Sequence, residues 1–486
     1  MLKILHIDLY HIAPEITMIL GAFLALMVGV FLKTKAFRIT SNLTLLVFIA
    51  SVYQILHVEN GTFLLFNDSF LVSNFTQLTK IIIIACNFMA LLAISYFERQ
   101  TSTFETPILI SISALGMCIF VSSNSLLVLY LGLELFSLSL YILIATNRDD
   151  EKSIEASLKY FILGSISSGI FLLGASLIYG YTGVINFDEI SFIYSSNYCC
   201  SSHDATHSPI LLIGLMLLII TMMFKLSLFP FHNWAPDVYE GSPTTITMIL
   251  ASSAKYAVFA LFLRLIFEPL LVFKEQLQPV LIIVAVASMF FGNIAAILQK
   301  NIKRLIAYSS ISHMGFILMS IAIYHQAYLE YIIFYAITYV TLTLTFFALV
   351  VVLNKKEGFD GSLKSLSGLS RDSAFLSLIF VVVMFSMAGI PPMAGFFAKF
   401  YIFVMLLKTG YYQLAIIAFI TTVIGVFYYL NVIRAIYFEK QNLKVRPKAI
   451  NFTWVEVLFL AFGAAFNLFY ILFPSYMLDL IKSCIS

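Results

Sequence analysis

Four charged side chains lie within long apolar runs of the sequence, where a membrane-spanning helix tolerates charge least. They are Glu134, Lys225, Lys255 and Lys399. A charge at the centre of such a helix costs about 2.5–3.5 kcal/mol on insertion scales. Four such costs are hard to explain by packing alone. Carboxylates and amines can each take up and release a proton, so the pattern predicts a route for a small cation, most simply a proton.

Prolines interrupt two of the apolar runs close to these lysines. Pro230 follows Lys225 in FKLSLFPFHNWAPDVYEGSP, and Pro391 and Pro392 precede Lys399 in MAGIPPMAGFFAKFYIF. Proline removes a helical hydrogen bond and clashes with the preceding turn. The carbonyl groups that it frees need water or a polar partner within a membrane. Each break therefore predicts a hydrated cavity lined by protein, which is typical of an ion site in transporters.

Glu134 and Lys225 are candidates for a buried ion pair. Burial favours the neutral form of a lysine, whereas a nearby carboxylate favours the charged form. A near balance between these two effects would let Lys225 load and release a proton when the carboxylate moves. The alternative is a structural salt bridge with no part in transport.

Lys255 and Lys399 are the other two lysine candidates for proton transfer. Lys255 has no acidic neighbour on its own predicted helix, and Lys399 lies on the second broken run as the counterpart of Lys225. The alternative for each is a side chain that extends to the membrane surface. His313, in YSSISHMGFIL, is a candidate relay, although a single histidine in an apolar span also occurs as a hydrogen-bonded core residue.

The composition places the chain among helical membrane proteins. The sequence has 486 residues, of which 61% are hydrophobic and 11% charged, and its mean hydropathy is +0.98. Soluble domains carry about 25% charged residues. Apolar runs of about 20 residues, the length of a bilayer-spanning helix, recur along the whole chain, and they are continuous rather than alternating as in a closed barrel. We therefore predict an all-α polytopic membrane protein.

Several other classes of function are not favoured. The net charge of +3 is too small to indicate nucleic-acid binding. The five cysteines include the adjacent Cys199 and Cys200, which match neither a CxxC motif nor the spacing of zinc ligands. No iron–sulfur, haem or flavin signature is present in the sequence. We therefore predict no cofactor, no metal and no redox centre in this chain.

The apolar runs predict about 14 spans, of which the seventh and the twelfth are broken. A separation of five spans places the two broken helices in opposite directions, as an inverted repeat of five helices requires. Spans four to eight and nine to thirteen would form the two units. The predicted segments are an N-terminal three-helix segment at 1–100, the two units at 101–270 and 271–440, and a C-terminal helix at 441–486. The predicted spans are 14–32, 39–57, 76–97, 107–124, 125–146, 158–179, 209–231, 244–267, 278–298, 305–324, 328–353, 374–407, 411–437 and 453–473.

The distribution of Lys and Arg predicts the orientation. If both termini face outward, most of these residues fall into inward loops, as the positive-inside rule requires. In this orientation the outward side holds only Lys3, Lys80, Lys274, Lys408 and Lys482.

The largest outward loop, 180–208, contains no Lys or Arg. We interpret it as a solvated loop, with a partner surface or a metal site as the alternative.

Long motifs between about residues 100 and 440 resemble one family. They are LGLELFSLSLYIL, EASLKYFILGSISSGIFLLGASLIYG, FKLSLFPFHNWAPDVYEGSPT, KRLIAYSSISHMGF and FSMAGIPPMAGFFAKFY. They resemble the antiporter-like membrane subunits of respiratory complex I, and most of all the subunit N family, called NADH dehydrogenase subunit 2 in mitochondria. The resemblance implies the same number of spans, with two inverted five-helix units and broken seventh and twelfth helices.

The resemblance also implies the roles of individual residues. Glu134 and Lys225 take the place of the family's glutamate–lysine pair, and Lys255 takes the place of its central lysine. Lys399 takes the place of the lysine on the second broken helix, where a glutamate would have pointed to the sister subunit M.

The implied function is that of a proton-translocating membrane-arm subunit of NADH:quinone oxidoreductase. The NADH, FMN, iron–sulfur and quinone sites would lie in other subunits, so this chain would do no redox chemistry. The implied partners are the neighbouring antiporter-like subunit, small membrane subunits and lipids, and the implied location is an energy-transducing inner membrane, mitochondrial or bacterial. The alternatives are an Mrp-type cation/proton antiporter subunit and a non-pumping membrane scaffold.

Overall fold

The structure is a computed structural model, and it describes residues 9–32, 36–97, 103–199, 209–323, 325–356, 358–439, 452–469 and 474–485. These residues are mostly helical. The helices are α1 (Ala13–Phe31), α2 (Ala36–His57), α3 (Asn74–Tyr96), α4 (Glu105–Ser122), α5 (Leu126–Ile144), α6 (Glu151–Thr182), α7 (Phe187–Cys199), α8 (Pro209–Lys225), α9 (Trp234–Gly241), α10 (Thr244–Phe267), α11 (Lys274–Ile297), α12 (Ile302–Ala322), α13 (Leu329–Leu353), α14 (Ala374–Ala388), α15 (Ala394–Lys408), α16 (Tyr412–Phe438), α17 (Trp454–Phe469) and α18 (Pro474–Ile485).

Most of these helices are suited to a membrane. Within the described residues, 11 helices are long and apolar enough to cross one, and α8, α14 and α17 are shorter apolar helices. This confirms the predicted all-α polytopic class. The number of about 14 spans and the segment boundaries near residues 100, 270 and 440 stay predictions.

The two predicted breaks are interruptions of the helical backbone. The first separates α8 from α9 over residues 226–233, which include Pro230, and the second separates α14 from α15 over residues 389–393, which include Pro391 and Pro392. Gly389 ends α14 with a φ of 82°, in the left-handed region that suits a residue without a Cβ. A further irregularity is the single π-helical turn Leu250–Ala254 inside α10, directly before Lys255.

The same close helix packing recurs in both halves of the chain. A Cβ on Gly116 of α4 would lie 2.5 Å from the backbone nitrogen of Phe136, so α4 and α5 touch through their backbones. In the second half, a Cβ on Gly292 of α11 would lie 2.7 Å from the backbone nitrogen of Ser312 in α12. Small residues allow this close approach where lipid supplies no hydrophobic driving force between helices. Each pair holds one helix of the candidate site rigidly against its neighbour.

The loops that we assign to the outward side contain more structure than predicted. Strands β1 (Phe63–Leu65) and β2 (Phe70–Val72) pair antiparallel, and the backbone nitrogen of Asn124 donates to Ser69 at 2.9 Å, which holds this hairpin on the turn between α4 and α5. Within the connection 180–208, predicted as a solvated loop, residues 187–199 form α7. Residues 200–208 lie outside the described residues.

A buried ion pair that the sequence did not predict joins α1 to α3. Nζ of Lys80 lies 2.6 Å from Oε1 of Glu15, and each side chain is only 3% exposed. The same ammonium lies 5.0 Å from the ring centroid of Phe70. Lys80 is therefore not a loop residue of the outward surface, as the orientation argument treated it, but part of the packing of the N-terminal helices.

Removing one member of this pair is expected to destabilise the chain strongly. Lys80→Met should lower the free energy of unfolding by about 3–5 kcal/mol, because it leaves a buried carboxylate without its partner. The double variant Glu15→Leu/Lys80→Met should lose much less, because neither charge remains buried. Thermal unfolding of the purified chain in detergent measures both, with the exposed Lys408→Met as control. Equal losses in the single and double variants would contradict the expectation.

Candidate functional site

Lys225 is the last residue of α8, at the start of the first break, and its ammonium is buried. Its Nζ donates a hydrogen bond to the hydroxyl of Ser137 on α5 at 2.7 Å. The side chain is 4% exposed, so this contact is made away from the lipid surface. The Nζ also lies 5.6–5.9 Å from the centroids of four rings, a distance at which an aromatic face attracts a cation. These rings are Phe136, Tyr141, Tyr160 and Phe224.

Glu134 does not form the expected direct ion pair with Lys225. Its carboxylate accepts a short hydrogen bond from the hydroxyl of Ser168 on α6, and among the described residues it has no partner at salt-bridge distance. The carboxylate is therefore held toward α6, while Ser137, nearly one turn further along α5, takes the place that the ion-pair hypothesis gave to Glu134.

Lys255 lies between the two halves of the chain, with hydroxyl partners from both. Its Nζ donates to Ser227 at 2.6 Å, in the break after α8, and to Ser310 on α12. Ser310 is in turn 2.8 Å from the hydroxyl of Tyr339 on α13. The side chain is 1% exposed. The π-helical turn before Lys255 adds a residue to the helical repeat, and such turns are frequent at functional sites.

His313 is hydrogen-bonded at both ring nitrogens. Nδ1 lies 2.8 Å from the hydroxyl of Tyr335, and Nε2 lies 3.1 Å from the hydroxyl of Tyr429 on α16, which also contacts Ser309. Hydroxyl groups can donate or accept, so these contacts fit either tautomer of the imidazole. The same geometry fits a buried histidine that has only a structural role and whose two ring nitrogens are both hydrogen-bonded. The relay role of His313 stays a prediction.

Lys399 on α15 fills the second break. Its Nζ donates to the backbone carbonyls of Met387 and Ala388, each at 3.1 Å, at the carboxyl end of α14. The break frees these carbonyls, and the ammonium satisfies them, as expected for a helix that ends inside a membrane. Lys399 and His313 also line one narrow cavity, together with Asn293, Ser312, Phe316, Thr421, Thr422, Gly425, Tyr428 and Tyr429.

Two helices bring the lysines into one line. Lys225 ends α8, and Ser227, two residues further on, binds Lys255. Ser310 and His313 lie nearly one turn apart on α12, so this helix contacts Lys255 with one residue and lines the cavity of Lys399 with the other. The polar groups that bind Lys255 are hydroxyls, and the cavity of Lys399 contains the imidazole of His313.

Sequence reasoning missed a cluster of charged residues at the end of the molecule that we assign to the inward side. Asp237 of α9 accepts from Lys159 of α6 at 2.8 Å and from Arg304 of α12 at 2.6 Å. Burial opposes ionisation of this carboxyl, but the hydrogen bonds from Lys159 and Arg304 outweigh it and hold the pKa of Asp237 below its usual value. We name this group the inward cluster; its members are Lys152, Glu155, Lys159, Asp237, Glu240 and Arg304.

A metal site was one alternative for the loop 180–208. Among the residues that the structure describes, no group of three or more His, Cys, Asp or Glu side chains is arranged to hold a metal ion. His203, Asp204 and His207 lie outside those residues. The predicted absence of a cofactor stays a prediction.

The fold and the buried lysines define a class of membrane transport proteins. Residues 123–425 match the family described as "NADH:quinone oxidoreductase/Mrp antiporter, TM". The structure is also similar to a chain of respiratory complex I from Thermus thermophilus with bound aureothin, at a TM-score of 0.79 and 28% sequence identity, covering 96% of this chain and 98% of that one. A chain of the Mrp complex from a Dietzia species shares the fold at a TM-score of 0.79 but only 17% identity, covering 100% of this chain and 97% of that one.

Sequence similarity places the chain within this class. It is 39% identical over 478 residues to NADH-quinone oxidoreductase subunit N of Pelagibacter ubique, covering 98% of each chain, and 38% identical over 466 residues to the subunit N of Parvibaculum lavamentivorans, covering 95% of this chain and 94% of the relative. The chain belongs to the NADH-quinone oxidoreductase subunit N family. This confirms the resemblance found in the motifs, and the match extends well beyond the segment that carried them.

Proposed function

We propose that this chain is a proton-translocating membrane-arm subunit of NADH:quinone oxidoreductase, in an energy-transducing inner membrane. The family membership supports the assembly, since the relatives are named as subunits of that enzyme. NADH oxidation and quinone reduction belong to other subunits. The partners are the neighbouring antiporter-like subunit, small membrane subunits and lipids, which would cover the exposed apolar faces of helices such as α6 and α16.

One observation carries the proposal. The ammonium groups of Lys225, Lys255 and Lys399 are buried and are held by hydroxyl or carbonyl oxygens rather than by carboxylates. A hydroxyl can accept from an ammonium and donate to a neutral amine, so Ser137, Ser227 and Ser310 can satisfy both protonation states of their lysines. A purely structural ion pair would instead leave a buried carboxylate behind whenever the lysine lost its proton.

The proton would move along the line from Lys225 through Lys255 and His313 to Lys399. Each step transfers one proton between a protonated group and a neutral one, through hydroxyls or water. Glu134, held by Ser168 near Ser137, supplies a negative charge whose approach or withdrawal changes the proton affinity of Lys225. Each charge that crosses works against about 2.3 kcal/mol per 100 mV, which redox chemistry elsewhere in the complex must supply.

The Mrp-type antiporter remains the second candidate, because the matched family description covers both kinds of protein and the Dietzia chain has the same fold. Co-purification separates the two. A tagged chain is expected to carry NADH-oxidising subunits with it from detergent-solubilised membranes. Recovery with antiporter subunits alone would favour the antiporter. If replacing each of the buried charged residues by a neutral one left pumping unchanged, the chain would be a non-pumping scaffold.

Lys255→Met is the test of the line at its centre. We expect this variant to lower the rate of pumping on the order of tenfold. The loss is smaller than for a lysine without polar neighbours, because Ser227, Ser310 and Tyr339 can still bind a water molecule in the place of the ammonium. The measurement is the number of protons moved per NADH oxidised by the assembled complex in sealed vesicles. Unchanged stoichiometry at a normal rate of NADH oxidation would remove Lys255 from the route.

A further inference from the structure

The first break begins with a serine in a backbone conformation that normally belongs to glycine. The backbone nitrogens of Ser227 and Leu228 donate to the carbonyls of Phe224 at 2.9 Å and Met223 at 3.0 Å, which is the Schellman arrangement at the end of a helix. The residue in the place of Ser227 is usually glycine in this motif, because its φ is left-handed, here 54°. Ser227 is therefore strained, and its hydroxyl is the one that binds Lys255 at 2.6 Å.

The strained segment is held from both sides. A residue in a sparsely populated conformation keeps it only where its surroundings impose it. On one side are the bonds back to α8. On the other, the backbone nitrogen of Phe229 donates to the hydroxyl of Ser288 on α11 at 2.9 Å. Ser288 is fully buried, and its hydroxyl donates to the carbonyl of Val284 at 2.7 Å, which leaves its oxygen to accept from the break.

Helix α11 also contacts the break through an aromatic side chain. The ring centroid of Phe291 lies 5.4 Å from that of Phe229 and 4.3 Å from that of His232. Phe291 and Ser288 are three residues apart, so they lie on the same face of α11. One face of a helix in the second predicted unit thus binds the break of the first predicted unit at two points.

Helix α11 is packed through Gly292 against α12, which carries the other hydroxyl that binds Lys255. Because the two backbones touch at this glycine, a shift of one helix carries the other with it. Lys255 donates to Ser310 of α12 and to Ser227 of the break. Both hydroxyls around this ammonium therefore depend on the α11–α12 pair, Ser310 directly and Ser227 through Ser288.

We propose that Ser288 is a positioning residue for Lys255, which acts by holding the strained Ser227 where its hydroxyl binds the ammonium. This inference rests on the proposed function. A shift of α11 and α12 away from α10 would withdraw the hydroxyls of Ser227 and Ser310 together. Because hydrogen bonds to an ionisable group change its proton affinity, this shift would change the proton affinity of Lys255 in one step. The second predicted unit would in this way control a lysine of the first.

The test compares Ser288→Ala, Ser227→Gly and the double variant in the assembled complex in sealed vesicles. Ser288→Ala leaves the Phe229 nitrogen without this acceptor. We expect it to lower the rate of NADH-driven pumping about three- to tenfold, the shift in population that follows the loss of one such hydrogen bond. Ser227→Gly removes the hydroxyl but suits the left-handed backbone, so its pumping should fall similarly while its thermal stability stays close to that of the parent. The double variant should pump no worse than the poorer single variant, because both changes act on one contact.

The matched control is Ser125→Ala, which also removes a fully buried hydroxyl that accepts from a backbone nitrogen. That nitrogen belongs to Val128, at 3.3 Å, in the first turn of α5. Ser125→Ala should pump normally. A loss equal to that of Ser288→Ala would overturn the proposal, because pumping would then report only the loss of a buried hydrogen bond.

Three other results would also overturn the proposed positioning. They are normal pumping by Ser288→Ala, normal pumping by Ser227→Gly, and a double variant whose loss is the product of the two single losses. If Lys255→Met loses pumping while Ser288→Ala keeps it, only the positioning is wrong. If Lys225→Ala, Lys255→Met and Lys399→Ala all pump normally, the proposed function itself fails.

Discussion

Lys225→Ala is expected to lower proton transfer through this chain by about 10²–10⁴-fold, the contribution typical of a positioned proton-transfer group. The variant removes the one ammonium that contacts Ser137 and leaves four aromatic rings around an empty space. No other described cation is bonded to Ser137 and able to replace it. The measurement is the number of protons pumped per NADH oxidised by the assembled complex in vesicles. Normal stoichiometry with intact electron transfer would defeat the proposed role.

Lys225→Arg separates proton exchange from fixed charge. Arginine keeps the positive charge and a hydrogen bond to Ser137 but does not lose its proton in proteins. We therefore expect Lys225→Arg to pump as poorly as Lys225→Ala. Lys408→Ala, which removes an exposed lysine from the end of α15, should pump normally. If Lys225→Arg pumps normally, Lys225 acts only as a fixed positive charge and does not itself transfer a proton.

The helices could be predicted well because the length of an apolar run is nearly the length of a span. The predicted span 244–267 and α10 have the same bounds, and α1 differs from its prediction by one residue at each end. Helix α6 begins at Glu151 rather than at residue 158, because the side chain of Asp150 accepts from the backbone nitrogen of Lys152 at 3.1 Å and caps an earlier, polar turn. Hydropathy does not detect such caps.

The hairpin of β1 and β2 and the helix α7 could not be predicted by the same reasoning. The strands β1 and β2 have only three residues each, and contacts with the turn between α4 and α5 hold them in place. Helix α7 begins in a polar segment, and Asp188 there accepts from Asn124 at 2.8 Å. Both elements depend on contacts with residues that are distant in the sequence, and the local sequence pattern does not predict such contacts.

The lysines of the candidate site were predictable, but their partners were not. A charge within an apolar run is visible in the sequence, whereas the choice between Glu134 and Ser137 as the partner of Lys225 depends on which face of α5 meets α8. The pair of Glu15 and Lys80 was missed because both residues lie near span ends, where charges are ordinarily solvated. The inward cluster was missed because it takes its members from three separate helices.

Charged partners and hydroxyl partners occupy different parts of the molecule. Carboxylate–cation pairs lie in the N-terminal helices, as between Glu15 and Lys80, and in the inward cluster, as between Asp237 and Arg304. Two more lie beyond the end of α13, between Lys355 and Glu456 and between Lys356 and Asp372. Lys255, midway along the line, has only hydroxyl partners among the described residues. This separation suits transport: ion pairs hold helices in place, whereas hydroxyl partners let a lysine change its charge without stranding an opposite one.

Lys399 presents the sharpest choice between a structural and a functional role, because its ammonium satisfies the carbonyls of Met387 and Ala388 at the second break. Lys399→Ala is expected to abolish pumping and also to lower stability by about 1–3 kcal/mol for each carbonyl left without a partner. Thermal unfolding of the assembled complex measures the second effect, and protons pumped per NADH oxidised in vesicles measure the first.

Lys399→Gln separates the two effects, because its amide can still donate to both carbonyls but cannot carry a proton. We expect Lys399→Gln to be close to the parent in stability and as defective as Lys399→Ala in pumping, by about 10²–10⁴-fold. Lys408→Gln, on the same helix but exposed, should match the parent in both measurements. If Lys399→Gln pumps normally, the lysine only caps α14, and the proton must leave the line at His313 or before it. Loss of pumping with retained stability would mean that the second break needs a side chain whose charge can change. A glutamine can donate to the free carbonyls of α14, so capping the helix would not by itself require a lysine.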